Sequence, residues 1–305
     1  MLHSMLQIAA VFALAISTTR GQAPSRYLFI FGDSYTTTGF DARAKPQPSL
    51  DNPLGNPSSP DLTLTGGANW VDFVIYDSSM PGIVAYNYAV GGSYVNHTAA
   101  QPQGPANKTA DPDFISQENT FETTLSPHVG WTSTNSIFIN YFGIVDVSTQ
   151  VYKGRNVSCA ESMLFPADID SYFRLLEKQY SRGARKFITV LVPPIHRAPV
   201  FNYGDTAGNG PSVEQVTSSW NSAMKKGNSK FQNAHRDAKA QIVDPTDTFN
   251  TILNDPTKYG APNATCYSVS GNPCLWVDFI HPGHELNQAF GKQMKDVIKE
   301  MLPPV

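Results

Sequence analysis

A serine near the start of this chain stands where a nucleophile of an acyl-transfer enzyme could be placed. Ser34 follows Phe31-Gly32-Asp33, directly after a short apolar run. A serine just past a strand can present its hydroxyl at the edge of a sheet, and amides at the start of a helix would favour an anion there. A serine in this position is also a good helix N-cap. The local sequence leaves both interpretations open.

An aspartate and a histidine near the other end supply the groups that such a serine needs. Asp278 precedes His281 by three residues. Within one turn the carboxylate can orient the imidazole and stabilise its protonated form. The other imidazole nitrogen is then free to take the proton of a serine hydroxyl. The structural alternative is that Asp278 caps a helix and His281 lies on the surface. His284 is nearby, but no third ligand accompanies it, so we predict no metal site.

The elements that position these groups alternate along the chain. Short apolar runs that end near Gly or Pro predict strands at Tyr27–Phe31, Val84–Val90, Ser136–Phe142, Lys186–Val192 and Gln241–Val243. Helices are predicted between or after them, at Trp70–Tyr76, Asp168–Ser181, Val213–Lys239 and His284–Met301. This alternation indicates an α/β fold whose parallel sheet is covered on both faces. Sites in such sheets form beyond the carboxyl ends of the strands.

Three motifs resemble blocks of the GDSL, or SGNH, hydrolase superfamily, and the similarity runs over nearly the whole mature chain. Phe31–Ser34 resembles the first block and Asp278–His281 the last, whereas the Gly-x-Ser-x-Gly elbow of the α/β-hydrolases is missing. Asn87–Gly92 resembles the second block, whose glycine donates a backbone N–H to the oxyanion hole. Spacing from Asn87 gives that role to Gly92, with Gly91 as the fallback. The resemblance implies a flavodoxin-like α/β/α sandwich around a five-stranded parallel sheet, with Ser34 as nucleophile and no cofactor.

The third block departs from the family pattern. It normally reads Gly-x-Asn-Asp, and its Asn donates a side-chain hydrogen bond to the oxyanion, but here the sequence is Gly143-Ile144-Val145-Asp146. Removing one such donor costs about 2.7–4 kcal/mol, or roughly 10²–10³ in rate. We expect the third strand to deliver Val145 to the oxyanion site. Val145 also raises the alternative of a catalytically weak or inactive member that binds glycans.

Further segments resemble fungal acetyl esterases of the sixteenth carbohydrate-esterase family, which remove acetyl groups from hemicellulose oligosaccharides. They are Gly32–Phe40, Asn52–Pro57 and Gly66–Trp70. The resemblance implies an acetyl ester on a plant cell-wall oligosaccharide as substrate. A lipid esterase or lysophospholipase is the alternative, because the superfamily contains both. Trp276, two residues before Asp278, is our candidate for stacking on a sugar.

The N-terminus predicts secretion. Leu6–Ile16 is apolar apart from Gln7, and small residues follow it, so we predict a signal peptide over residues 1–23 and one hydrolase domain over 24–305. The apolar run is too short to span a bilayer. Four glycosylation sequons agree with export; they begin at Asn96, Asn107, Asn156 and Asn263.

The three cysteines and the overall charge complete the expectations. Cys266 and Cys274 flank a short polar segment, as a disulfide-closed loop would, which leaves Cys159 as a buried thiol. The chain has 305 residues, 41% of them hydrophobic, which is enough for a sizeable core. With a net charge of −3, the chain has no excess of positive charge that would bind the phosphates of a nucleic acid. We therefore expect a secreted monomer without stable membrane association.

Overall fold

Five short, mostly buried strands form one parallel sheet. The computed structural model describes residues 24–60, 62–100, 112–125, 130–152, 165–202 and 208–303. The strands are β1 (Arg26–Gly32), β2 (Ile83–Asn87), β3 (Ser136–Tyr141), β4 (Lys186–Val190) and β5 (Lys239–Val243), in the order β2-β1-β3-β4-β5. Every residue of β1, β2 and β3 is buried, which explains why these strands are nearly continuous apolar runs. The predicted α/β fold and strand number are confirmed.

The strand order creates one topological switch point. The chain passes from β1 to β2 on one side and reaches β3 on the other, and both neighbours pair with β1 in parallel. The connections therefore diverge beyond the carboxyl ends of β1 and β3, which is where open α/β sheets bind their ligands.

Helices pack on the sheet in two groups. In chain order they are α1 (Trp70–Ile75), α2 (His97–Ala100), α3 (Phe114–Thr124), α4 (Ile144–Tyr152), α5 (Phe165–Ser181), α6 (Gly210–Ala234), α7 (Thr246–Leu253) and α8 (His284–Met301). Helix α8 packs against α1 and α7, whereas α6 packs against α4 and α5. Two aromatic rings on β3 contact different helices. The ring centroid of Phe138 lies 5.6 Å from that of Phe121 on α3, and the ring centroid of Tyr141 lies 5.6 Å from that of Phe290 on α8. Both faces of the sheet are therefore covered.

Several predicted boundaries were wrong. The helix predicted over Val213–Lys239 ends at Ala234, because Lys239 already begins β5. Helices α3, α4 and α7 were not predicted, and the second strand ends at Asn87 rather than Val90. These segments are short, and their apolar residues do not recur over enough turns to give a clear helical period.

The predicted disulfide between Cys266 and Cys274 is present, with the two Cα atoms 5.0 Å apart. Two sequons are described. Asn263 is exposed, whereas Asn96 is half-buried and its Nδ2 donates to Ser171 Oγ (2.9 Å). The predicted signal peptide, Asn107, Asn156 and Cys159 lie outside the described residues. Among the helices described, none combines the length and the apolar character that a bilayer crossing requires.

Candidate active site

Ser34 lies on a tight turn directly after β1. The amides of Thr36 and Thr37 donate to Asp33 O (3.1 and 3.0 Å), and the Tyr35 amide donates to Asp33 Oδ1 (3.0 Å). The chain then runs on as an irregular loop before α1, so Ser34 does not cap a helix. Its side chain is largely enclosed, with 8% of the residue exposed. The turn thus holds a serine at the carboxyl edge of the sheet.

Two asparagines fix the backbone that follows Ser34. Asn69 Nδ2 donates to the carbonyl oxygens of Thr36 and Thr37 (3.2 and 2.9 Å). Asn87 Nδ2 donates to Thr36 O (2.8 Å) and to Thr38 Oγ1 (3.1 Å). All these groups are buried, so leaving them unpaired would cost free energy. Asn87, the asparagine of the second sequence block, therefore has a structural role, because it stabilises the turn that carries Ser34.

Gln117 of α3 joins the end of β1 to the next loop. Its Oε1 accepts from Gly32 N (3.0 Å), and its Nε2 donates to Gly32 O (2.7 Å) and to Ser93 Oγ (2.9 Å). Gly32 is required for a different reason, since a β-carbon there would lie 2.8 Å from Tyr141 O on β3. The sequence analysis missed Gln117; its only signal is a polar residue on the buried face of a helix between Phe114 and Phe121.

Asp278 and His281 form the predicted pair in a turn before α8. His281 Nδ1 lies 2.7 Å from Asp278 Oδ2, while Asp278 Oδ1 accepts the amides of Ile280 (2.8 Å) and His281 (2.7 Å). Burial acts to raise the pKa of Asp278, but the hydrogen bonds from the His281 ring and the two amides outweigh it and lower that pKa. Asp278 therefore remains a carboxylate and binds the imidazole through Nδ1, which leaves Nε2 of His281 able to accept a proton.

Tyr35 connects the serine turn to the histidine turn. Its hydroxyl donates to Ile280 O (2.6 Å), and its ring centroid lies 6.0 Å from that of His281. The structure thus places the turn that carries Ser34 next to the turn that carries Asp278 and His281, which are far apart in sequence. Tyr35 is 2% exposed, so this connection is shielded from water.

The two glycines of the second block form a tight turn beside Ser34. The Ser93 amide donates to Val90 O (3.3 Å), and Gly92 has a φ of +79°, which glycine adopts without strain. A β-carbon at Gly91 would lie 3.8 Å from Ser34 Cβ. Within the described residues, no hydrogen bond uses the amide of Gly91 or Gly92. Both amides are therefore available, and the oxyanion role of Gly92 remains a prediction.

Val145 follows the end of the third strand by four residues, and whether its side chain faces the oxyanion site stays a prediction. Strand β3 ends at Tyr141, and Val145 is the second residue of α4, where it is half-buried. Asn140, the nearest asparagine in sequence, is buried and exchanges hydrogen bonds with Gln179 (both 3.3 Å). Asn140 is therefore engaged away from the site and does not replace the missing amide.

Two buried acids support the surrounding loops. Burial, together with the nearby Asp146, raises the pKa of Asp33 to about 8, although the hydrogen bond from the Tyr35 amide acts to lower it. Burial likewise raises the pKa of Asp146, whose Oδ1 accepts the Val95 amide (3.1 Å). Both side chains are 0% exposed. They satisfy loop amides and are not placed to contact a substrate.

The prediction that Trp276 contacts a sugar was wrong. Trp276 is 0% exposed, and its Nε1 donates to Ala264 O (2.8 Å). Its side chain forms part of the core under the catalytic turn, where no ligand can stack on it.

The surface near Ser34 carries exposed apolar side chains, while a cavity with apolar and polar lining lies elsewhere. Leu64, Val90 and Phe279 are 45%, 45% and 55% exposed, and each is close in space or sequence to a site residue. A cavity of about 790 Å³ lies between α5 and α6, and none of its lining residues belongs to the site loops. No three His, Cys, Asp or Glu side chains in the described ranges converge as metal ligands would.

Known proteins similar to this chain are esterases. The chain is 34% identical over 300 residues to an acetylesterase of Thermothelomyces thermophilus, covering 94% of this chain and 96% of that protein. It is 23% identical over 321 residues to an acetylesterase of Hypocrea jecorina, covering 90% and 88%. An alpha/beta hydrolase enzyme from the metagenome of Lake Arreo, Spain, aligns with a TM-score of 0.50 at 14% identity, over 92% and 96% of the two chains, which shows a shared fold. No family model matches.

Proposed function

Since the chain belongs to the GDSL/SGNH hydrolases related to fungal acetylesterases, and is a carboxylic ester hydrolase, we propose that it removes acetyl groups from plant cell-wall oligosaccharides. The two curated relatives are named acetylesterases, which supports the acetyl group. The observation that carries the mechanism is the 2.7 Å contact between His281 Nδ1 and Asp278 Oδ2, tied to the Ser34 turn through Tyr35.

In the proposed reaction Ser34 attacks the ester carbonyl. Nε2 of His281 takes the hydroxyl proton, while Asp278 stabilises the imidazolium that forms. The amides of Ser34 and Gly92 donate to the oxyanion of the tetrahedral intermediate. Its collapse breaks the bond to the alcohol oxygen, which receives the proton from His281. Water, deprotonated by His281, then attacks the acetyl-enzyme and releases acetate and free Ser34.

The proposal includes secretion of a monomer. A signal peptide over residues 1–23 would export the domain over 24–305 to its polymeric substrate. The disulfide supports an oxidising compartment, where such bonds persist. Expression in a eukaryotic secretory host, with N-terminal sequencing of the medium protein, tests this part directly, because cleavage should expose a residue next to Ala23.

A second candidate substrate is a lipid ester. The exposed Leu64, Val90 and Phe279 favour it, because apolar side chains around a nucleophile can hold an alkyl chain. The acetyl ester remains the main proposal, because both relatives are named acetylesterases.

Hydrolysis of three substrates by the same preparation separates these possibilities. They are 4-nitrophenyl acetate, an acetylated xylo-oligosaccharide and a lysophospholipid. We expect turnover of the first two, with the oligosaccharide giving the higher kcat/KM. Preference for the lysophospholipid would replace the proposed substrate by the lipid. Binding of the oligosaccharide without any turnover would indicate the inactive glycan-binding alternative.

A further inference from the structure

A smaller, polar cavity borders the candidate active site. Its volume is about 340 Å³, at the lower end of the range of roughly 300–1,000 Å³ found for small-molecule sites. Three loop segments and the start of α8 line it, namely residues 65–68, 259–260, 270–274 and 284–285.

Both long walls of this cavity continue directly into the active site. Leu64, just before the first wall, lies beside Ser34, because a β-carbon at Gly91 would be 2.9 Å from Leu64 Cδ1 and 3.8 Å from Ser34 Cβ. In the same wall, a β-carbon at Gly66 would lie 3.1 Å from a methyl of Val277. The Val277 amide in turn donates to His281 O (3.0 Å). The loops that line the cavity are therefore continuous with the loops that carry the candidate active site.

The lining offers unused hydrogen-bonding groups of both kinds. Within the described part of the chain, the side chains of Asn272, His284 and Glu285 make no hydrogen bond. An amide, an imidazole and a carboxylate together supply donors and acceptors, which is what a hydroxyl group requires. Tyr259 adds an aromatic side chain at the edge. This combination suits a polyhydroxylated ligand.

The charge of the lining argues for a neutral ligand. Glu285 is its acid, and no Lys or Arg is among the described lining residues. A phosphate or carboxylate ligand would meet the Glu285 carboxylate, which is unfavourable, and the nearby Lys258 Nζ lies over the Tyr259 ring, 5.9 Å from its centroid, outside the lining. A phospholipid head group therefore fits poorly, whereas an uncharged sugar fits.

The cavity is held in shape before any ligand arrives. The Cys266–Cys274 disulfide closes the loop that carries Asn272, and the ring of His284 packs edge-on against Phe73 with centroids 5.3 Å apart. Less ordering on binding means that less free energy is lost when a ligand enters.

We propose that this cavity binds a sugar unit of the acetylated oligosaccharide, neighbouring the unit whose acetyl group reaches Ser34. The inference rests on the proposed carbohydrate substrate and adds where the chain is recognised. It makes Asn272 and Glu285 determinants of specificity that act on the sugar chain and not on the acetyl group.

The test compares the double variant Asn272→Ala/Glu285→Ala with the parent on an acetylated xylo-oligosaccharide and on 4-nitrophenyl acetate, which lacks a sugar. We expect kcat/KM for the oligosaccharide, divided by kcat/KM for 4-nitrophenyl acetate, to fall about ten-fold. The fall should come mainly from a higher KM for the oligosaccharide, because two hydrogen bonds to it are lost. Gln288→Ala is the matched control, since Gln288 is exposed on the same helix outside the cavity lining, and it should leave the ratio unchanged.

The outcomes separate the two proposals. An unchanged ratio in a well-folded double variant, with the parent active on the oligosaccharide, overturns the subsite alone. A parent that cleaves 4-nitrophenyl acetate but not the oligosaccharide overturns the proposed substrate, and the subsite with it. Thermal melting of each variant checks that folding is intact; if the double variant fails to fold, Glu285→Gln must show the same fall in smaller degree for the proposal to stand.

Discussion

At the scale of single residues, Val145 is the position where an added hydrogen-bond donor should help. It lies on the first turn of α4, beyond the end of β3, and β3 pairs with β1, the strand that precedes Ser34. Valine has no donor, so in the proposed mechanism the developing charge depends on the amides of Ser34 and Gly92. We expect Val145→Asn to raise kcat on 4-nitrophenyl acetate with little change in KM, because the new bond would strengthen in the transition state.

The gain in kcat should be smaller than the roughly 10²–10³-fold loss in rate that usually follows when such a donor is removed, because the residues around position 145 are adapted to valine. Val145→Thr is a useful comparison, since it matches the shape but reaches less far. An equal or lower kcat in a well-folded Val145→Asn variant would mean that another group completes the oxyanion hole, or that residue 145 does not face it.

Tyr35 is a positioning residue whose hydroxyl can be removed without changing the ring. Tyr35→Phe deletes the 2.6 Å hydrogen bond to Ile280 O and leaves a carbonyl of the histidine turn without this donor. We expect the free energy of unfolding to fall by about 1 kcal/mol and kcat to fall several-fold, with KM nearly constant, because His281 is less firmly held.

A second buried tyrosine provides the control for this experiment. Tyr172 donates to Thr189 Oγ1 (3.0 Å) on β4, on elements that carry no candidate catalytic residue. Tyr172→Phe should lower the free energy of unfolding to a similar extent while kcat stays at the parent value. A similar loss of kcat in both variants would show that Tyr35 acts only through stability.

The residues that sequence reasoning found and those that it missed differ in one physical respect. Ser34, Asp278 and His281 stand in short motifs, so their neighbours in sequence reveal them. Gln117 acts on Gly32, 85 residues away, and on Ser93, 24 residues away, and no local pattern marks it. Trp276 was misjudged because nearness in sequence to Asp278 says nothing about which way a side chain points.

At the scale of elements, the disulfide should stabilise the loop that precedes Asp278. Its cysteines are eight residues apart, and closing a loop of this length contributes about 2–3 kcal/mol in the chain-entropy model. We expect Cys266→Ser/Cys274→Ser to lower the free energy of unfolding by this amount in denaturant titrations.

The matched control is Cys159→Ser, which removes a cysteine but leaves the 266–274 bridge in place. It should not show the same loss. A double variant as stable as the parent would mean that the bridge adds nothing beyond the packing of the loop around Trp276.

Strands were easier to predict than helices in this chain. β1 and β3 are buried on every residue, so their apolar runs stand out between Gly-containing turns. Helix α3 mixes buried Gln117 and Glu118 with its apolar residues, which weakens any periodic signal. The order of the strands was not predicted, because the pairing of strands depends on contacts between distant segments.

At the scale of the whole molecule, buried carboxyl groups should make stability fall as pH rises. Burial raises the pKa of Asp168 from 3.8 to about 9, with the nearby Asp146 adding to the effect, and burial raises that of Asp33 to about 8. Each group folds in its protonated form, so its contribution is fully present below about pH 4. That contribution is lost as pH rises through the folded-state pKa.

The variant Asp168→Asn tests this expectation, because its amide stays neutral at every pH and nearly keeps the shape. Both Asp168 side-chain oxygens are buried without a hydrogen-bond partner in the described chain. We expect the parent Tm to fall between pH 5 and pH 9 and the variant Tm to fall less. Parallel curves for the two proteins would show that Asp168 does not titrate in this range.

The central claim is that Ser34 is the nucleophile, and the most direct measurement is kcat for 4-nitrophenyl acetate with the parent and with Ser34→Ala. We expect kcat to fall by about 10⁴-fold or more, since removing the nucleophile leaves only binding and oxyanion stabilisation. The Tm should change little, because Ser34 makes no structural hydrogen bond through its hydroxyl among the described residues. A folded Ser34→Ala variant that keeps a substantial part of the parent kcat would contradict the account.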